Sequence, residues 1–291
     1  MLSRAPLLSW LFVAPAVLIV AVMMYYPMIG TVIESFYSSS FINPTPSFVG
    51  LTVYKSILGD GTFLQIVLNS VIWTVSVVLL QNLLGFLAAL LLNQHLPGQA
   101  FMRSLIMLPW VLPGVVAAIL WRFMYDPQLG LINSFLVSLG LNGVPWLAQS
   151  STALGASIIA AVWKGFPFST VVFLAALQNV DQEQVESAII DGAGPVRRLF
   201  DIVIPAVKEI IAINLVLTAI LTFNYFDMIW VLTRGGPQNA THIFPTKIYE
   251  LGFGQFRFGE AATYGVISIL LLAILIPIYF FVQARGRKAA S

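Results

Sequence analysis

The chain has 291 residues, 59% of them hydrophobic and only 9% charged, with a net charge of +2 and no cysteine. A soluble domain carries roughly 25% charged residues, so this composition excludes a water-soluble fold. The absence of cysteine removes disulfides, thiolate metal sites and cysteine nucleophiles.

Apolar runs follow one another at residues 7–29, 64–92, 105–124, 152–177, 210–232 and 261–282. About 20 helical residues rising 1.5 Å each cross roughly 30 Å of hydrocarbon. Backbone polar groups in a bilayer must be satisfied within the segment, so the six runs predict six transmembrane helices in a single all-α, polytopic domain. The first run follows Arg4 but is longer than the apolar core of a signal peptide, and it reads as an uncleaved span. With both termini cytoplasmic, Arg4, Arg103, Arg197, Arg198, Lys208, Arg285, Arg287 and Lys288 fall inside, and Lys55, Arg234, Lys247 and Arg257 outside. That bias agrees with the tendency of basic residues to stay on the cytoplasmic side.

Catalytic signatures are missing from the sequence. The two histidines, His95 and His242, fall on opposite sides of the membrane in this topology, and no His-Glu-x-x-His pair is present. Neither a Gly-x-Ser-x-Gly elbow nor a Gly-x-x-x-x-Gly-Lys-Ser/Thr phosphate loop occurs, so any ATP must be bound by another chain.

Between the fourth and fifth runs lies the one sizeable polar island, residues 178–208. Val185, Ala188, Ile189 and Gly192 recur at helical spacing, with Asp181 as N-cap and Gly192 as the C-terminal stop. Val196, Leu199, Phe200 and Val203 repeat the spacing, with Pro195 in the first turn and Pro205 ending the second helix. Periodicity alone serves two purposes equally: packing of the loop against membrane helices, or presentation of a rigid bracket to a partner.

The residues of that island, Glu186-Ser187-Ala188, Asp191-Gly192-Ala193, Ile202, Ile204 and Pro205, resemble the "EAA" loop of ABC importer permeases. Ser187 departs from the pattern, standing where alanine is usual. The resemblance implies a type I importer permease fold and a cytoplasmic coupling helix that docks on a separate ATPase dimer, where ATP and Mg would be held. This chain would itself bind no cofactor. Residues 223–237, from Phe223-Asn224-Tyr225-Phe226-Asp227 to Gly235-Gly236-Pro237, resemble the carbohydrate-importing branch, with weaker matches at Trp163-Lys164-Gly165-Phe166-Pro167-Phe168, at residues 174–178 and at residues 258–262. They imply an oligosaccharide or related glycoside as substrate and an extracytoplasmic solute-binding protein as donor, received by loops such as residues 36–63, 126–150 and 235–258. The bacterial inner membrane and its lipid are the implied setting, and no nucleic-acid partner is implied. A six-span bundle without an internal repeat is small for a whole translocation path, and the resemblance implies a second, related permease in a heterodimer.

Polar and aromatic residues within apolar runs are the candidates for the substrate path. Asn224, Tyr225, Asp227, Ser169, Phe168 and Trp163 are placed there, the first four as polar contacts and the rings, Tyr225 included, as faces for a sugar. Asn69, Gln81 and Asn82 read rather as helix-to-helix hydrogen bonds, with Trp73 and Asn214 left open between the two roles. Arg122 with Asp126, at i and i+4, predicts an interfacial ion pair, and Lys164 with Asp227 predicts a second pair between the fourth and fifth spans, in preference to separate roles at a ligand. Prolines 15, 109, 113, 167 and 277 mark candidate bends. An ion-coupled secondary transporter using Asp227 is the alternative class, and it offers no account of residues 186–205.

Overall fold

A computed structural model describes residues 5–41, 45–94 and 97–290; Arg4 and His95 lie outside the described residues. The chain divides into two compact units, Met1–Phe63 with Lys247–Leu270, and Leu64–Thr246 with Leu271–Ser291.

In chain order the first elements are α1 (Ala5–Glu34), the two-residue strands β1 (Tyr37–Ser38) and β2 (Ser47–Phe48), and α2 (Thr52–Leu58). The strands pair antiparallel with Tyr37 opposite Phe48. There follow α3 (Gly61–Leu92), α4 (Gln99–Val111), α5 (Gly114–Met124), α6 (Leu131–Ser138) and α7 (Ser150–Leu177). The rest is α8 (Gln182–Ile190), α9 (Pro195–Arg198), α10 (Ile204–Phe223), α11 (Asp227–Leu232), α12 (Phe244–Tyr249) and α13 (Phe258–Ala290).

Among the described residues four helices are long and apolar enough to cross a membrane: Phe12–Glu34 within α1, then α3, α7 and the continuous stretch Pro195–Phe223. The bent pair α4 and α5 makes a fifth when the two are counted as one span, and the sixth expected run lies within α13, of which Phe258–Ile274 is a shorter apolar helix among the described residues. Two expectations need correction here. The third run is not one helix, because α4 and α5 meet at 96°. Leu112 turns extended with ψ 138°, and Pro113 has no N–H to carry the helical ladder onward. The fifth run also ends earlier than expected: α10 stops at Phe223, and Asn224, Tyr225 and Phe226 separate it from α11. Pro167, by contrast, lies buried inside α7 without ending it.

In the first unit Tyr54 donates to the Ser35 hydroxyl at 2.7 Å and Thr263 donates to the Ser35 carbonyl at 3.2 Å. Aromatic pairs Phe36–Tyr54, Phe41–Phe256 and Phe63–Tyr264 complete its contacts. Asp60 accepts from the Thr62 backbone at the start of α3, and that hydrogen bond holds its carboxyl below the ordinary value. In the second unit α4 and α10 pack on α7, and α5 packs on α7 and α11. Its core joins Trp73, Val77, Trp121, Tyr125, Met228 and Ile229 with the small residues Ala156, Ala160 and Ala161 of α7.

Candidate functional site

Two features of the second unit bear on function: a cavity among the helices and the exposed bracket that follows α7.

The cavity holds about 380 Å³ and is lined by α3, α4, α7, α10 and the residues after α10. Gln81, Lys164, Thr218 and Thr222 give it polar groups, and Trp110, Phe168 and Tyr225 give it aromatic walls. The rings of Trp110 and Phe168 are stacked, 6.3 Å apart at 29°. A ring stack beside hydroxyl and amide groups suits a ligand with one apolar face and a polar edge. Gln81 lies over Gly165, and a Cβ there would displace the Gln81 amide.

Beneath the cavity wall, α3, α7 and α10 are fastened by a buried polar network. Asn214 donates from one amide nitrogen to Asn82 Oδ1 at 2.6 Å and Ser169 Oγ at 3.0 Å, while Asn82 donates to Thr218 at 3.0 Å. Buried amides and hydroxyls carry a large desolvation cost unless paired, and here nearly every one is paired. The exceptions are the Thr74 hydroxyl and Asn214 Oδ1, which are buried without a hydrogen-bond partner. Trp73 donates to the Thr222 carbonyl at 3.0 Å, and Asn69 donates to the carbonyls of Asn239 and His242 at 3.0 and 3.1 Å.

The candidate path residues therefore separate. Phe168 and Tyr225 line the cavity. Ser169 is fully buried in the helix contact, where Asn214 binds it and Gly85 approaches it, so the structure removes it from the cavity wall. Trp163 packs edge-on to Trp121 at 5.7 Å against the core. Asn224 is exposed and its amide donates to the Ile220 carbonyl at 2.9 Å, ending α10. Of the residues read as helix-to-helix hydrogen bonds, Asn82 makes one, Asn69 instead binds the carbonyls of Asn239 and His242 in the turn between α11 and α12, and Gln81 faces the cavity. Trp110 is not among the expected residues; it lies in the last turn of α4, within the third apolar run.

Neither expected ion pair forms. Lys164 donates from Nζ to the Trp110 carbonyl at 2.9 Å, and Asp227 lies against Gly114 at the start of α5. Arg122 donates to the Val231 carbonyl at 3.4 Å, and Asp126 instead accepts from the backbone of Gln128 and Leu129 at 2.9 and 2.8 Å. Those two hydrogen bonds, Leu129 foremost, hold the Asp126 carboxyl below its ordinary value. Chain direction explains the change: at the end of α5 the acid is better placed to close the next turn than to reach back along the helix.

The bracket is built from local rules. The Asp181 side chain accepts from the Glu183 N–H at 3.0 Å as N-cap of α8. At the other end Ala193 N–H donates to Ala188 at 2.8 Å and Gly192 N–H to Ile189 at 3.0 Å, with Gly192 at φ +78°. These are the two hydrogen bonds of a Schellman cap, and the left-handed conformation favours glycine. Glu186, Ser187, Asp191 and Gly192 are exposed, while Ala188 and Ala193 are half-buried. Pro205 does not end a helix, contrary to expectation. A π-helical segment, Leu199–Val203, carries α9 straight into α10, with Pro205 in its first turn. The wider turn accommodates a proline that has no N–H to give. α8 buries no residue, and Ile190, Val196 and Phe200 remain 86%, 68% and 61% exposed.

Membrane-length helices, a bent pair in place of the third run, a mainly apolar cavity with a few polar groups and an outward apolar bracket define a helical membrane protein of the permease kind. The chain belongs to the family described as binding-protein-dependent transport system inner membrane component, which it matches over residues 81–288. It is 34% identical over 284 residues to the trehalose/maltose transport system permease protein MalF of Thermococcus litoralis, with 98% of this chain and 95% of that protein covered. It is also 34% identical over 287 residues to the sn-glycerol-3-phosphate transport system permease protein UgpA of Yersinia enterocolitica, covering 96% and 95%. Its fold is that of a chain of a bacterial ABC transporter involved in import of the acidic polysaccharide alginate, with a TM-score of 0.81 at 22% identity over 99% and 98% of the two chains. The chain is thus a transport subunit of an ABC importer, with the type I permease fold, and not an enzyme.

Proposed function

We propose that this permease carries a carbohydrate, an oligosaccharide or related glycoside, through the cavity walled by Gln81, Trp110, Lys164, Phe168 and Tyr225. The observation that supports it is the stacked Trp110–Phe168 pair beside hydrogen-bonding groups, because sugar rings offer apolar C–H faces to aromatic planes and hydroxyls to polar edges. The relative named for trehalose and maltose transport supports that class.

In this reading both termini are cytoplasmic, and residues 178–208 face the cytoplasm. Glu186, Ser187, Ala188, Asp191, Gly192, Ala193 and Pro205 form the coupling element, docked on an ATPase dimer that binds ATP and Mg. The exposed Ile190, Val196 and Phe200 are what a partner groove would cover, and the acids would meet its basic groups. The continuous run from Pro195 through α10 passes a push on the bracket directly into a membrane helix. A second, related permease completes the path as a heterodimer, and a solute-binding protein delivers the ligand.

ATP hydrolysis by the co-expressed complex in nanodiscs tests this. One sugar-loaded binding protein should stimulate hydrolysis and uptake, and Glu186→Lys should reduce that stimulation at least tenfold while the permease still assembles in the membrane. Full stimulation in the variant, or uptake that follows an ion gradient without ATP, would overturn it.

A further inference from the structure

The break between α4 and α5 leaves two helix ends close together, with Lys164 of α7 bonded at one and Asp227 of α11 lying beside the other. α4 ends with carbonyls that have no donor within the helix. Lys164, from α7, donates to one of them, Trp110, at 2.9 Å. α5 begins at Gly114, and the Asp227 Oδ2 lies 2.9 Å from where a Cβ on that glycine would stand. A cation at a helix C-terminus and an anion at a helix N-terminus are each favourable. Asp227 also opens α11, which packs on α5. Among the described residues no ion pair joins Lys164 to Asp227; Lys164 is held by the Trp110 carbonyl, and Asp227 lies against Gly114 in the first turn of α5.

Trp110 connects this arrangement to the cavity. The residue whose carbonyl Lys164 holds also supplies the ring stacked on Phe168. The carbonyl and the ring belong to one residue, next to the extended Leu112 where α4 ends, so a bond at the carbonyl restrains the ring as well.

We propose that Lys164 and Asp227 are positioning residues: together they fix the 96° break between α4 and α5, and Lys164 thereby sets the Trp110 ring opposite Phe168 as the platform for the ligand. The ligand's identity rests on the carbohydrate reading above, whereas the clamp on the break does not. The geometry also gives Gly114 a reason, since any side chain there would displace the carboxylate.

The chain has no cysteine, so a pair of introduced labels is clean. Phe101→Cys on α4 and Phe123→Cys on α5, both exposed, place spin labels on either side of the break. Their separation is read by double electron–electron resonance in the assembled complex in nanodiscs, with cysteines of co-expressed subunits replaced. A narrow distribution is expected, kept in Lys164→Arg and broadened or shifted in Lys164→Met and in Asp227→Asn. The exchange of Lys164→Asp with Asp227→Lys should be worse than either single change, since each helix end would then face a like charge. In uptake, Lys164→Met should raise KM about tenfold with the maximal rate within twofold. An unchanged distribution in both single variants, or restoration by the exchange, would overturn the proposal. Should those variants fail to assemble, Gly114→Ala, which disturbs only Asp227, decides by the same shift or its absence. Sugar-independent hydrolysis together with a shifted distribution would leave the clamp standing and remove the carbohydrate reading.

Discussion

The bracket and the cavity invert each other. In the bracket the apolar side chains Ile190, Val196 and Phe200 point outward and the hydrogen bonds are local, closing between residues at most five apart. Around the cavity the polar side chains Asn82, Ser169, Asn214 and Thr218 point inward, and their bonds join residues as far apart in sequence as Asn82 and Asn214. A surface that exposes its apolar groups is unfinished without a partner. A membrane core cannot rely on the hydrophobic effect to hold helix to helix, because lipid is as apolar as leucine, and so uses small residues and interhelical hydrogen bonds. The bracket should therefore tolerate change in the lone chain and fail in the complex, and the core should do the opposite.

The largest effect expected from that contrast is at Gly85. A Cβ there would stand 2.5 Å from Ser169 Cβ and 3.0 Å from the Phe166 carbonyl, so α3 and α7 meet through this glycine. Gly85→Val must push the helices apart and stretch the Asn214–Ser169 bond, at a cost of about 3 kcal/mol or more. Thermal unfolding of the purified permease in detergent should show it, with little monodisperse protein recovered. Gly155→Val is the control, because a Cβ at that position of α7 meets nothing within 4 Å. Equal stability of the two variants would mean that small-residue contact does not hold this core.

Gly192→Arg should show the reverse. No atom lies within 4 Å of a Cβ at Gly192, and the cost is the left-handed conformation alone, about 1 kcal/mol. The variant should insert and unfold nearly as wild type does, yet lose binding-protein-stimulated ATP hydrolysis, since a long charged side chain on the exposed cap blocks close approach. Gly192→Asn, which tolerates positive φ, should keep most of the stimulation. Normal coupling in the arginine variant would show that the cap is not at a docking surface.

The same contrast decides what is legible in the sequence. The spans follow from apolar length and the bracket from caps and spacing, both local properties, and so the roles of Asp181 and Gly192 can be read from the residues alone. Lys164 shows the limit. Its charge announces a partner, and an acid is the expected one, but the fold supplies a carbonyl freed by a break in another helix. Pro109 and Pro113 signal that a break is possible, and no local rule says which of the five candidate prolines breaks its helix rather than bending with it. Trp110 reaches the cavity only because the break exists. Ser169 departs from expectation for a related reason: rotation of α7 puts Phe168 in the cavity and its neighbour against α3 and α10, and an all-round apolar helix carries too weak a periodicity to fix that rotation.

The smallest effect expected is at the one ion pair of the bracket whose geometry is resolved. Arg197 Nε donates to Asp201 at 3.2 Å, one turn apart, with 77% and 62% of the two side chains exposed. Exposed pairs at this spacing contribute about 0.3–0.5 kcal/mol and are screened by salt. Asp201→Asn should therefore lower the unfolding temperature by no more than about 1–2 °C, and less in high salt. The π-helical segment around Asp201 gives the measurement its use. If the wide turn were held by this pair, its loss would straighten the join between α9 and α10 and reduce coupling as Gly192→Arg does. If instead the turn exists because Pro205 has no N–H to give, coupling should survive Asp201→Asn and fail only when the backbone register is restored, as in Pro205→Ala. Coupling that fell with Asp201→Asn alone would transfer the role of the join from backbone geometry to charge.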